Sequence, residues 1–166
     1  MFNQGIIHAS VVLIGLAATS GTAWAATELA DEYACVPDAS PEKAVSKLIA
    51  AGVVPAKPTV TADSISHFAA RPGFTALGYE LVEVQAYQGG SKLLAPGRGT
   101  LPPTQFAFVV RAIDKEVARA MDARGLKTGS QNLPFDHPIL SVARAQRPAG
   151  ADASGAYAIV TCRVQF

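Results

Sequence analysis

Apolar positions along this chain change their period several times, and each change marks an element. The first stretch has no period. Residues 9–18 are predominantly apolar, with Val11, Val12, Leu13, Ile14 and Leu16, and a small polar run over 19–22 precedes Ala23, Trp24 and Ala25. A short apolar core followed by a small-x-small pattern is the layout of a secretory signal peptide cleaved after Ala25. The core falls short of the ~20 apolar residues that span a bilayer. Glu28, Asp31 and Glu32 beyond it supply no stop-transfer signal. The segment before the core carries no Lys or Arg, and the alternative this leaves is an uncleaved N-terminal anchor helix. Cys35 lies too far past the core for a lipoprotein site. The expected organisation is a signal peptide over 1–25 and a single domain over 26–166.

Helical spacing comes next. Leu29, Tyr33 and Val36 repeat weakly before Pro37 ends the run, whereas Val45, Leu48 and Ile49 form a clear apolar face. Ser40 suits the cap of that face, Pro41 its first position, Glu42 its positive end and Gly52 its stop, which predicts a helix over 41–51. Pro55 and Pro58 then force an extended linker.

From Thr59 the period is two. Val60, Ile65 and Phe68 predict one or two short strands ending at Arg71, Pro72 and Gly73, and a longer strand is predicted over 77–87. In that strand Leu77, Tyr79 and Leu81 share one face and Val82, Val84 and Ala86 the other, a switch that signals a bulge or burial on both sides. Gly89 and Gly90 predict a tight hairpin returning through Lys92, Leu93 and Leu94. Residues 95–103, rich in Pro and Gly, cannot be regular. The most apolar strand follows over 104–112 and is expected to be central, with Arg111 at its exit.

Ile113, Val117, Ala120 and Met121 return to helical spacing, with Asp114 and Glu116 at the start and Arg124 and Gly125 at the end, as the helix dipole favours. A final hairpin is predicted from strands over 139–146 and 156–166, the last placing Ala158, Val160, Cys162, Val164 and Phe166 on one face. The terminal aromatic resembles the end of an outer-membrane barrel only superficially, because a barrel needs at least eight strands of about 9–11 residues. The order of elements predicts an α+β domain, an antiparallel sheet of about five strands with two helices on one face.

Composition narrows the function without naming it. All 14 basic and 13 acidic residues fall after residue 25, for a net charge of +1. A chain so balanced offers no clustered basic face for nucleic acid or an anionic membrane. Two cysteines in an exported chain predict one disulfide, Cys35 to Cys162; a catalytic thiol beside His67 or His137 has no local signature.

The candidate chemistry is sparse. His67 follows Asp63 by four residues and adjoins no nucleophile motif; His137 adjoins Asp136, and neighbours in sequence do not make a dyad. Glu80 and Glu83, three apart on a strand, are expected on opposite faces and solvated. No serine sits in a nucleophile elbow, and Gly97-Arg98-Gly99 leads into prolines instead of a helix, so it lacks the amides of a phosphate loop. Neither a metal nor a cofactor is expected. What stands out is the 95–103 loop, where prolines limit entropy loss, glycines permit close approach and Arg98 offers a planar fork for a carboxylate. The reading is a periplasmic or secreted, non-enzymatic binding protein of the inhibitor or immunity type. It would contact another envelope or secreted protein through Pro96, Arg98, Thr100, Leu101 and Pro102, with Tyr87 at the loop base. The alternatives are a small envelope hydrolase using His67 with Asp63 or Asp136, and a protein that holds a small ligand between sheet and helices.

Overall fold

In a computed structural model of the chain, the described residues are 27–28, 35, 40–94, 101–126, 128–129 and 139–163. The expected leader, the weak repeat at Leu29, Tyr33 and Val36, and Val164 and Phe166 lie outside them. The elements run β1 (Thr27–Glu28), α1 (Pro41–Ala50), β2 (Val60–Ala62), β3 (Ile65–Ala69), β4 (Phe74–Ala76), β5 (Tyr79–Tyr87), β6 (Gln105–Arg111), α2 (Asp114–Ala123), β7 (Ile139–Arg144) and β8 (Tyr157–Arg163).

Strands β2 to β8 form an antiparallel sheet in the order β2-β3-β5-β6-β8-β7. β4 lies beside the first residues of β5, and the two-residue β1 adds to β4 in parallel. Among the described residues there are seven antiparallel strands rather than about five. The difference comes from two-residue turns. Ala62 pairs with Ile65 across Asp63 and Ser64 (φ 48° and 68°), and Ala76 pairs with Tyr79 across Leu77 and Gly78 (φ 56° and 83°). Two positive φ values in succession make the turn that matches strand twist. Leu77 is not a turn-forming residue type, so the strand predicted from 77 begins at Tyr79 and β4 escapes the sequence pattern.

The hairpin expected at Gly89 and Gly90 does not form. The Ser91 hydroxyl instead accepts the amides of Leu93 and Leu94, Leu94 is buried, and β5 pairs with β6. That capture of two backbone donors by a side chain competes with a strand ladder. β6, between β5 and β8, is the central strand anticipated.

One face of the sheet carries Phe68, Val84, Ala86, Phe106, Phe108, Val110, Ala158 and Val160, and both helices pack there: Val45 and Leu48 of α1 and Val117 and Met121 of α2 join the same apolar core. Ser40 caps α1 by accepting the Lys43 amide, while its hydroxyl and the Glu42 amide both donate to Gln88 Oε1, at 2.8 and 3.1 Å. Gln88 thereby ties the start of α1 to the end of β5.

The predicted disulfide is present. Cys35 and Cys162 are joined with Cα atoms 5.2 Å apart, closing a separation of 127 residues. Such a loop restricts the unfolded chain by up to about 5 kcal/mol. The double variant C35S/C162S is expected to lower the urea unfolding free energy by a large part of that amount, and an unchanged midpoint would show that the bridge contributes nothing to stability.

Candidate functional site

A β-bulge decides which groups occupy the face of the sheet away from the helices. Leu81 pairs with Val110, yet Glu83 pairs with Val109, so Val82 is an extra residue in β5. Strict alternation from Leu81 would send Glu83 into the apolar core. The extra residue turns Val84 and Ala86 inward instead and brings Glu83, Gln85 and Tyr87 to the face away from α1 and α2. The Val82 carbonyl remains satisfied by the Ala70 amide at 2.9 Å.

His67, odd-numbered in β3 like its exposed neighbour Ala69, reaches the same face from the next strand and pairs across it with Gln85. Its Nδ1 lies 3.0 Å from Glu83 Oε1, and Gln85 Nε2 donates to that same oxygen at 2.7 Å. The side chains are 21% exposed for His67 and 12% for Glu83. With an ionised carboxylate the ring proton sits on Nδ1 and donates, which directs Nε2 away from Glu83. Both bonds fall on Oε1; among the described residues Oε2 takes none.

Beside this cluster lies a cleft of ≈ 360 Å³. Thr59, Val60, His67 and Ala69 line one side, Glu83, Gln85 and Ile159 contribute from the sheet, and residues 144–149, leading out of β7, form the other side. Within that strap Pro148 is buried while Arg144 and Arg147 are exposed. The turn that follows is firmly held: Tyr157 Oη donates to the Asp152 carbonyl at 2.8 Å, and Ser154 donates both its amide and its hydroxyl to the Asp152 carboxylate. Gly155 leaves room for the Tyr157 ring, whose oxygen would stand 2.7 Å from a Cβ at 155. The Ser154 amide and hydroxyl hold the Asp152 carboxyl below the ordinary aspartate value, with the charges of Arg111 and Arg147 adding to it. Arg111 also pairs with Glu80, at 2.9 Å.

Several expectations change here. The bulge puts Glu80 and Glu83 on the same face rather than opposite ones, and Glu83 is buried rather than solvated. The carboxylate against His67 is Glu83; Asp63 sits in the β2–β3 turn, and Asp136 lies outside the described residues. The cleft opens on the face away from α1 and α2, not between sheet and helices. Of the loop residues, Leu101 is 55% exposed, Pro102 is half-buried, and Pro96, Arg98 and Thr100 lie outside the described residues. Tyr87 is buried at the end of β5, opposite Gln105. Glu83, Gln85, Arg144 and Arg147 were missed as site residues; the change of face after Leu81 was the available signal for Glu83. Among the described residues no three potential metal ligands cluster, and no helix is long and apolar enough to cross a membrane.

A partly buried His–carboxylate–amide cluster is a poor device for stability, since well-packed apolar groups of similar volume generally serve as well or better, whereas removing one partner strands the others. Replacing His67 alone by Ala is expected to destabilise the fold by roughly 1–3 kcal/mol. Replacing His67, Glu83 and Gln85 together by leucine is expected to leave stability within about 1 kcal/mol of the parent or above it. Urea denaturation of the two variants checks this; a triple variant as weak as the single one would make the cluster a structural necessity.

Comparison with protein-family models, with curated proteins and with solved structures gives no match in any of the three, so the functional reading rests on the chemistry of the site.

Proposed function

We propose that this is an exported, non-enzymatic binding protein that holds a small polar ligand in the cleft beside His67, Glu83 and Gln85. The observation that carries the reading is a nearly buried carboxylate whose Oε1 is doubly hydrogen-bonded while open space adjoins it. Polar groups that converge on a concavity are candidate functional groups, and the volume is at the low end of the ~300–1,000 Å³ typical of small-molecule sites. Export is supported by the apolar leader and by the disulfide, a bond that persists in oxidising compartments.

A hydrolase would need more than the oriented imidazole. Thr59 carries the one hydroxyl among the described residues lining the cleft, and its oxygen accepts the Ala69 amide at 3.0 Å. Nothing placed there supplies an activated nucleophile or a pair of oxyanion donors.

A panel of small amines, acids, sugars and peptides, read by thermal shift, is expected to contain compounds that raise the melting temperature of the disulfide-bonded protein. Ala69→Trp, which fills the cleft from an exposed position, is expected to abolish the shift without lowering the ligand-free melting temperature by more than a few degrees. Shifts that persist in this variant would place binding elsewhere. Turnover of any hydrolysable member, lost in His67→Ala, would replace the reading with the enzymatic one.

The exposed Leu101 favours a second reading, contact with a protein through the 95–103 loop. Replacing residues 97–101 by a neutral linker should then leave melting unchanged and abolish retention of a partner from the envelope fraction; retention that survives would remove the loop from consideration.

A further inference from the structure

The charges around the cleft are arranged by pole. At one end stands Glu83, whose Oε2 takes no hydrogen bond among the described residues. At the other the strap contributes Arg144, the last residue of β7 and paired with Ala158, and Arg147, whose charge also acts on Asp152. Glu83, Val109, Ile159 and Ala143 occupy successive strands in one register row, with Arg144 next in the chain after Ala143. Three interstrand spacings separate the two poles at the backbone, about 14 Å.

We infer that the ligand is a short zwitterion of dipeptide length, its ammonium group on Glu83 and its carboxylate on Arg144 and Arg147. This rests on the cleft being a binding site, as proposed above. A carboxylate oxygen in a confined, partly desolvated place favours a cationic donor over a neutral one, and a guanidinium fork matches a carboxylate in two parallel bonds. The arginine stems cover part of the span, and the ligand must cover the rest. A free amino acid carries both charges on one carbon and is too short. Two residues in extended form add about 7 Å between the poles. Val60, Ala69, Ala145 and Ile159 leave small apolar surface between the charged ends, suited to small side chains.

Isothermal titration of the full disulfide-bonded chain with alanyl-alanine, its N-acetyl form and its C-terminal amide tests each pole separately. The free dipeptide is expected to bind, and either cap to weaken binding by roughly 10- to 100-fold, the worth of a charge-assisted hydrogen bond. Glu83→Gln should lose discrimination against the N-acetyl form only, and Arg144→Gln with Arg147→Gln should lose discrimination against the amide only. Equal affinity for free and capped forms overturns the inference, as does discrimination that survives in both variants. If the dipeptide fails while another compound of the small-molecule panel occupies the cleft, the zwitterion is wrong and the binding reading stands. If nothing in either set binds in a manner sensitive to Ala69→Trp, both fall.

Discussion

The bulge at Val82 is the constraint on which the two faces of this sheet depend. β5 is the only described strand that pairs with three others, β3, β4 and β6, so any shift in its register spreads across the fold. Before the bulge Leu81 is the inward residue; after it Val84 and Ala86 are. A regular strand would have had to bury Glu83 among Phe68, Phe108 and Val110, at the heavy cost of an unpaired charge in an apolar core. The extra residue avoids that cost and delivers the carboxylate to the opposite face, where His67 and Gln85 satisfy it.

The two faces then carry different physics. On the helix side, apolar side chains of β3 to β8 close against α1 and α2, and burial of residues such as Phe68, Leu48 and Met121 supplies the main driving force. No described helix packs on the other face, where Ala107 and Val109 are almost completely buried and Glu83, Gln105 and Thr161 are buried polar groups. Beside the strap this face keeps a cleft. The strap itself is supported by the Tyr157–Asp152 bond, the Ser154 donors and the Arg111 pairs with Asp152 and Glu80, a set of exposed charges weak one by one and useful as a positioning frame.

Legibility followed the range of the interactions. Helix α1 is cued by Ser40, Pro41 and three apolar residues within ten positions, and α2 by acidic residues at its start and Gly125 after its end; both formed where those local signals put them. The continuous apolar run of β6 marked the central strand for the same reason. The turn at Leu77 and Gly78 was hidden, because a leucine with positive φ is set by the pairing of β4 and β5 and not by its own preference. The turn at Gly89 and Gly90 showed the converse: a good local signal lost to Ser91, which captured the amides a return strand would have needed.

By itself the sequence determined the class of fold, the two helices, the central strand, the cysteine pair and the change of face in β5. All of these follow from periodicity, capping and composition, which act over a few residues, or from the scarcity of cysteine. Tertiary structure alone decided that Glu83 meets His67, sixteen residues away, and that residues 144–149 wall a cleft beside them. Hydrogen bonds between neighbouring strands depend on register, and register is fixed only when the whole sheet, bulge included, has closed over its core.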